Sequence, residues 1–246
     1  MDTPLVSIII PVYKSNGDYI KKCLDSLIDQ TYQNWEAIVV VDDYENDTSF
    51  DLIKQYDLND TRIHVIERIV KANPANARNR GLADARGKYV AFLDSDDWWL
   101  FDKLSTQVSY MEQNPDIMWT CHWLALVYPD NYIVINRSYP SRSFGIEGMH
   151  TVLIRRELLN KVGNFDESLN KADDADMVLR IGNYPSFQIP LCLSYCRINP
   201  LGLTMNTTKF ENLMSVTKLA IKNRAWWLLP YHWKNYILSS MGWHFD

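Results

Sequence analysis

An apolar run, Tyr89-Val90-Ala91-Phe92-Leu93, ends abruptly in Asp94-Ser95-Asp96-Asp97. Carboxylates packed that closely repel one another, so a fold that accepts them must leave them in water or give them a cation. The run before them has the length of a buried strand. Such a strand delivers its last residues to the carboxyl edge of a sheet, where open α/β folds bind ligands. Magnesium-like ions are held by one or two carboxylates together with substrate phosphates, so a short Asp-x-Asp segment suffices for them. An EF-hand loop starting at Asp94 would need glycine at its sixth position and glutamate at its twelfth, where the chain has Trp99 and Ser105. The plainer alternative is that the acids cap a helix over about Lys103 to Gln113, which accounts well for one acid and poorly for three.

The residues upstream repeat the pattern of buried strand and helix. Val6-Ser7-Ile8-Ile9-Ile10, closed by Pro11, reads as a strand covered on both faces. Tyr19, Cys23, Leu24, Leu27 and Ile28 then fall at helical spacing, opposite Lys21, Lys22, Asp25 and Asp29. A second strand, Ala37 to Val41, ends at Asp42-Asp43. Thr48 with Asp51 resembles a capping box for a helix carrying Phe50, Leu52 and Ile53. A strand over Ile63 to Ile66 follows, and Asn73-Pro74 opens an Ala-rich helix expected to stop at Gly87. Four β-α alternations predict a mostly parallel, Rossmann-like sheet. Beyond Pro115, Met118 to Tyr128 and Tyr132 to Arg137 read as strands joined by Pro129-Asp130-Asn131. The expected organisation is one domain over residues 1–205, with about 1–115 built for a nucleotide and about 116–205 for the other substrate. Residues 206–246 are expected to form an aromatic-rich helical segment.

The chain has 246 residues and a formal net charge of -5, which argues against a nucleic-acid binder driven by phosphate contacts. Cys23, Cys121, Cys192 and Cys196 have neither zinc-site spacing nor the density of a disulfide scaffold, and read as reduced and structural. The first residues show no basic n-region and no long apolar stretch, so the cytoplasm is the default compartment. Near the carboxyl terminus Trp226, Trp227, Trp233 and Trp243 accompany Arg224 and Lys234. That mixture suits the inner face of a membrane, packing over the domain, or a homo-oligomer contact.

In order along the chain, Val6 to Tyr13, Val41-Asp42-Asp43, Ala77-Arg78-Asn79-Arg80-Gly81, Asp94-Ser95-Asp96-Asp97 and Asn164-Phe165-Asp166-Glu167 with Asp173-Asp174 resemble family 2 glycosyltransferases. The resemblance covers about residues 5 to 204. It implies a GT-A fold, a nucleoside-diphosphate-sugar donor, Mn2+ or Mg2+, and inversion at the anomeric carbon. It further implies that Pro11, Val12 and Tyr13 line the nucleoside pocket. Asp43, with Asp42 beside it, would accept a hydrogen bond from the base, which favours uracil and hence a UDP-sugar. Arg78 would meet a phosphate or the base edge. Asp94, Ser95 and Asp96 would form the Asp-x-Asp motif, with Asp96 the direct metal ligand and Asp94 its partner. Asp174 would be the catalytic base, kept ionised by the dipole of the helix it opens. The implied acceptor is a hydroxyl of a glycan or lipid-linked sugar, in the synthesis of cell-surface polysaccharide.

The chain departs from the family pattern at Tyr44-Glu45, where Gly-Ser is usual, and at Asn199, where histidine is frequent. The second departure leaves Arg197 as the expected diphosphate contact. None of the five histidines has an evident partner in sequence; His150 is a candidate on the acceptor side. Two rival classes share these features. A nucleotidyltransferase would favour a glycine-rich loop after the first strand, where only Gly17 is available. A non-catalytic nucleotide-binding or signalling module would use Asp42-Asp43 and leave the other acids unexplained.

Overall fold

The computed structural model describes residues 3–69, 73–137, 148–169, 172–198, 217–219 and 221–222. Its strands are β1 (Val6–Tyr13), β2 (Trp35–Asp42), β3 (Ile63–Arg68), β4 (Tyr89–Phe92), β5 (Trp98–Trp99), β6 (Trp119–Val127), β7 (Ile133–Asn136), β8 (Leu153–Arg155) and β9 (Ser186–Arg197). The helices are α1 (Gly17–Ile28), α2 (Phe50–Asn59), α3 (Pro74–Asp84), α4 (Lys103–Gln113), α5 (Arg156–Val162) and α6 (Asp173–Ile181).

One sheet runs through both halves in the order β3-β2-β1-β4-β8-β6-β9-β5, with β7 paired to β6. The pairs β1–β2, β1–β4 and β2–β3 are parallel, as the β-α rhythm predicts, and β4–β8 begins an antiparallel region. The apolar strands need cover on both sides, and they have it. Val6, Ile8, Ile10, Val39 and Val41 join Leu24, Leu27, Leu104 and Val108 in one core. The alternate residues Ile9, Ile38 and Val40 join Ala75, Ala77, Leu158, Met177 and Ile181 in the other. The period-2 pleat thus divides each run between helices α1 and α4 on one face and α3, α5 and α6 on the opposite face.

Helix α3 lies unusually close to the sheet. A Cβ added to Gly81 would sit 2.6 Å from Ile9 Cγ2, so the glycine permits the approach that brings Arg78 beneath the end of β4. Asn73 caps this helix through its side chain, accepting from Asn76 N at 2.9 Å, with Pro74 in the first turn as expected. The capping box expected at Thr48 is not formed. Helix α2 begins after Ser49, and Asp47 instead accepts from Ser49 N at 2.9 Å and Ser49 Oγ at 2.6 Å. An aspartate one residue upstream offers the same acceptor in an Asx-type turn, which the spacing rule does not register.

All four cysteines are free. No described helix is long and apolar enough to cross a membrane. The Trp-rich segment and Asn199 lie outside the described residues.

Candidate active site

The residues singled out in sequence collect at the carboxyl edge of the parallel strands. Register places Tyr13 beside Asp42, so the ends of β1 and β2 are adjacent. Val12 is buried, Pro11 is half-buried, and Tyr13 is 38% exposed at the rim. Asp42 is buried and lies 3.3 Å from Arg68 Nη1. Asp43 takes the left-handed conformation at φ 53° and meets Lys14 Nζ at 3.3 Å and Asn46 Nδ2 at 2.7 Å. Aspartate is among the few residues that tolerate this region. The turn after β2 is therefore made by Asp43 and the 3-10 turn Tyr44–Asn46, without the glycine usual there.

The four-residue acid segment lies between β4 and β5 and caps no helix: α4 starts after Asp102, whose side chain makes no capping bond. Asp94, Ser95 and Asp96 are half-buried, and Asp97 is buried with Oδ1 accepting from the Arg197 backbone N–H at 2.8 Å. Burial and the neighbouring Asp94 push the Asp96 carboxyl up to about 6. Burial, Asp96 and Asp94 raise Asp97 as well. Oxygen donors held close enough to oppose one another's ionisation suit a hard divalent cation, which would relieve that opposition.

Arg78 is the hub of the site. Its side chain is 5% exposed, and it reaches Asp173 Oδ2 at 2.6 Å, Asp174 Oδ1 at 2.7 Å and Asp94 Oδ1 at 2.9 Å. Burial disfavours the charge, but the three carboxylates outweigh it and raise the guanidinium further. Sequence reasoning offered Arg78 to a phosphate or base edge. In the structure it is enclosed among acids and ties the end of β4 to the start of α6. Arg80 pairs at the surface with Asp84 at 2.8 Å.

Asp174 also differs from expectation in electrostatics. A helix dipole should lower its carboxyl, yet burial with Asp173 and Asp94 nearby pushes it up to about 7, against the pull of Arg78. Asp173, the more enclosed of the pair, is likewise raised by burial despite Arg78. A nine-residue helix contributes a partial charge only at its first turn. Two neighbouring carboxylates and lost hydration exceed that.

What sequence reasoning missed is how Asp173-Asp174 reach Arg78. Asn73, the cap of α3, and Asn76 and Asn79 within it recur every three residues and grip the segment at Phe165–Glu167. Asn79 donates to Phe165 O at 3.0 Å and Glu167 Oε1 at 2.8 Å, and accepts from Phe165 N at 2.9 Å. Asn76 donates to Glu167 Oε2 and Asn73 to Glu167 O, both at 2.6 Å. Phe165 packs edge-on against Phe92 at 5.1 Å, below the Arg78 guanidinium. The asparagine spacing was readable as one helix stripe; its partner some 90 positions away was not.

Arg197 ends β9 with its guanidinium 3.9 Å from the Tyr19 ring centroid and 5.3 Å from that of Trp98. Trp98 itself stacks on Tyr195 and carries Lys22 Nζ at 3.4 Å. His150 has the partner that the sequence did not reveal: its Nδ1 lies 3.3 Å from Asp97 Oδ2.

The family described as Glycosyl transferase family 2 matches residues 7–163. A putative teichuronic acid biosynthesis glycosyltransferase of Bacillus subtilis, TuaG, is 46% identical over 108 residues, 44% of this chain and 42% of the relative. The Escherichia coli UDP-Glc:alpha-D-GlcNAc-diphosphoundecaprenol beta-1,3-glucosyltransferase WfgD is 38% identical over 138 residues, 56% of this chain and 49% of the relative. These matches thus span about half the length of those relatives. Among solved structures, Staphylococcus aureus TarS 1-349 in complex with UDP-GlcNAc superposes with a TM-score of 0.70 at 21% identity, over 95% of this chain and 72% of that one. The mannosyltransferase PcManGT of Pyrobaculum calidifontis, in complex with GDP-Man and Mn2+, gives 0.67 at 17% identity, over 99% of this chain and 76% of that one. At such identities the likeness speaks to the fold, which is the GT-A arrangement of a mixed sheet with flanking helices. With the family match covering more than half of the sequence and the fold agreeing, the chain belongs to glycosyl transferase family 2.

Proposed function

We propose that this protein transfers a sugar from a nucleoside-diphosphate sugar, a UDP-sugar in the first instance, to a hydroxyl of a glycan or lipid-linked acceptor with inversion. The observation that carries the reading is the Arg78 hub, which gathers Asp94 of the donor-side acid segment and Asp173-Asp174 of α6 around one guanidinium. A displacement needs a base on one side of the anomeric carbon and charge neutralisation on the other, and the hub holds both sets in one frame.

Asp174 is the base. It takes the acceptor O–H proton, the acceptor oxygen forms its bond to the anomeric carbon, and the bond to the diphosphate oxygen breaks with its electron pair leaving on the nucleoside diphosphate. A carboxyl raised to about 7 is matched to that task near neutral pH, and its 35% exposed side chain can be reached by an acceptor. Asp173 and Arg78 orient it. Asp96, with Asp94, is the proposed holder of Mn2+ or Mg2+, which when bound neutralises charge on the leaving diphosphate. Pro11, Val12 and Tyr13 line the nucleoside pocket, Asp43 and Asp42 read the base, Ser95 lines the donor site, and Arg197 contacts the diphosphate.

The names of relatives support a place in cell-surface polysaccharide synthesis with a lipid-linked acceptor as in WfgD, and the cytoplasmic side is part of the proposal. Calorimetry of UDP binding tests the donor side: binding should require Mn2+ or Mg2+ and should be largely lost in Asp96→Ala. Equal affinity with a chelator present, or in the variant, removes the metal-bridge argument.

A further inference from the structure

Behind the acid segment, three side chains from distant parts of the chain converge without a role in the transfer. They are Asp97 before β5, His150 in the 3-10 turn Met149–Thr151, and Cys196 near the end of β9. One ligand atom from each lies within 4.8 Å of the other two. Asp97 is 3% and His150 2% exposed, so neither is a surface group that happens to point inward.

We propose that Asp97, His150 and Cys196 form a second, soft-metal site, which takes Zn2+ or a similar ion and is distinct from the Asp94–Asp96 site. Carboxylate, imidazole and thiolate are the donor types of zinc, and three protein ligands with a fourth position left for water is a common zinc arrangement.

The separations favour this over a plain Asp–His pair. A charge-assisted N–H···O bond closes to about 2.7–2.9 Å. The observed Nδ1···Oδ2 separation is 3.3 Å. With metal–ligand bonds of about 2.0–2.1 Å, two ligand atoms on a tetrahedral edge lie about 3.3–3.4 Å apart. The imidazole and carboxylate therefore already stand at a zinc edge, and the sulfur needs at most about 1 Å of movement to complete the face, given a Zn–S bond of about 2.3 Å.

The surroundings are built for the arrangement. Asp97 Oδ1 is fixed by the Arg197 N–H at 2.8 Å, and the Asp97 carboxylate also accepts from the Cys196 thiol, so carboxylate and sulfur are already in contact beside His150. The turn holding His150 is anchored by Trp99 Nε1 donating to His150 O at 2.9 Å. A Cβ on residue 148 would fall 2.5 Å from His150 Nδ1, so Gly148 leaves room for the ring to fold back. Binding would displace the Cys196 thiol proton to solvent and form the sulfur–metal bond, with His150 entering neutral. The ion would pin three segments together directly beneath the donor-side acids.

The test uses the full chain, freed of metal, with Co2+ as a spectroscopic probe and Zn2+ titrated against a chromophoric chelator. The wild type should bind one equivalent of Zn2+ at this site and show a thiolate-to-Co2+ charge-transfer band. Cys196→Ser should lose the band. Its Zn2+ affinity should fall by at least about 100-fold, since losing a ligand costs more than losing an outer partner, itself about 10–100-fold. His150→Gln should weaken Zn2+ comparably. Asp96→Ala should keep both the band and the affinity, while losing Mn2+-dependent UDP binding. Absence of a thiolate band in the wild type overturns the proposal whatever the variants do, as does Zn2+ affinity unchanged in Cys196→Ser and His150→Gln. Failure of the transferase reading would appear separately, as UDP binding indifferent to Mn2+ and to Asp96→Ala.

Discussion

Replacing Asp174 by asparagine should make this protein more stable while disabling it. The Asp174 carboxyl stands at about 7 against an ordinary 3.8, because burial, Asp173 and Asp94 oppose its ionisation more than Arg78 favours it. A raised acid binds its proton more tightly in the folded than in the unfolded state. Its contribution is therefore fully favourable below pH 3.8 and is lost as pH rises to about 7. Undamped, that displacement corresponds to about 4 kcal/mol at 1.36 kcal/mol per pH unit. The side chain is 35% exposed, so solvent screening reduces the figure, and about 1–2 kcal/mol is expected. Asparagine keeps the shape and removes the charge. In urea denaturation with chelator present, the variant should be more stable by that amount at pH 8 and equal to wild type near pH 4. The matching rise in Tm is about 2–8 °C for a chain of this size. Turnover should fall by roughly 10²-fold or more, the usual scale for general acid–base catalysis. A variant that is less stable at pH 8, or stabilised equally at both pH values, refutes the electrostatic reasoning. Near-normal turnover refutes the assignment of the base and moves it to Asp173.

Arg78→Met should destabilise by about 3–5 kcal/mol at pH 8, since it strands Asp173 and Asp94 without their cation, and by less as pH falls and the acids become neutral. Urea midpoints across pH check this, and a loss independent of pH contradicts it. Asp166 is held down to about 2 by Lys222 and Ser168, so its stabilising contribution is present above pH 3.8 and is lost as pH falls toward 2. Asp166→Asn should therefore cost about 1 kcal/mol at pH 7, Lys222 being partly exposed, and the gap to wild type should close in acid melts. If the Trp-rich carboxyl-terminal segment contacts membrane, the full chain should float with anionic liposomes and a truncation before Arg224 should not. Equal behaviour of the two assigns the segment to protein contacts instead.

Certain features were settled by residue order alone. A β-branched run such as Val6 to Ile10 cannot remain in water, and its termination by Pro11 or by acids says where the sheet edge lies. The strand ends, the acid segment and the family motifs follow from that local chemistry, and β1, β2 and β4 sit where the pattern put them. Tertiary structure decided which charges meet. Arg78 and Asp173 are 95 positions apart, and only the approach of α3 through Gly81 and the asparagine grip on Phe165–Glu167 brings them to 2.6 Å. The same holds for His150 and Asp97, on a turn and a loop that share no sequence pattern. It holds as well for Asp174, whose position at a helix start implied an easily ionised carboxyl. Ionisation energy depends on hydration and on charges within a few ångströms, quantities that packing sets and spacing along the chain does not.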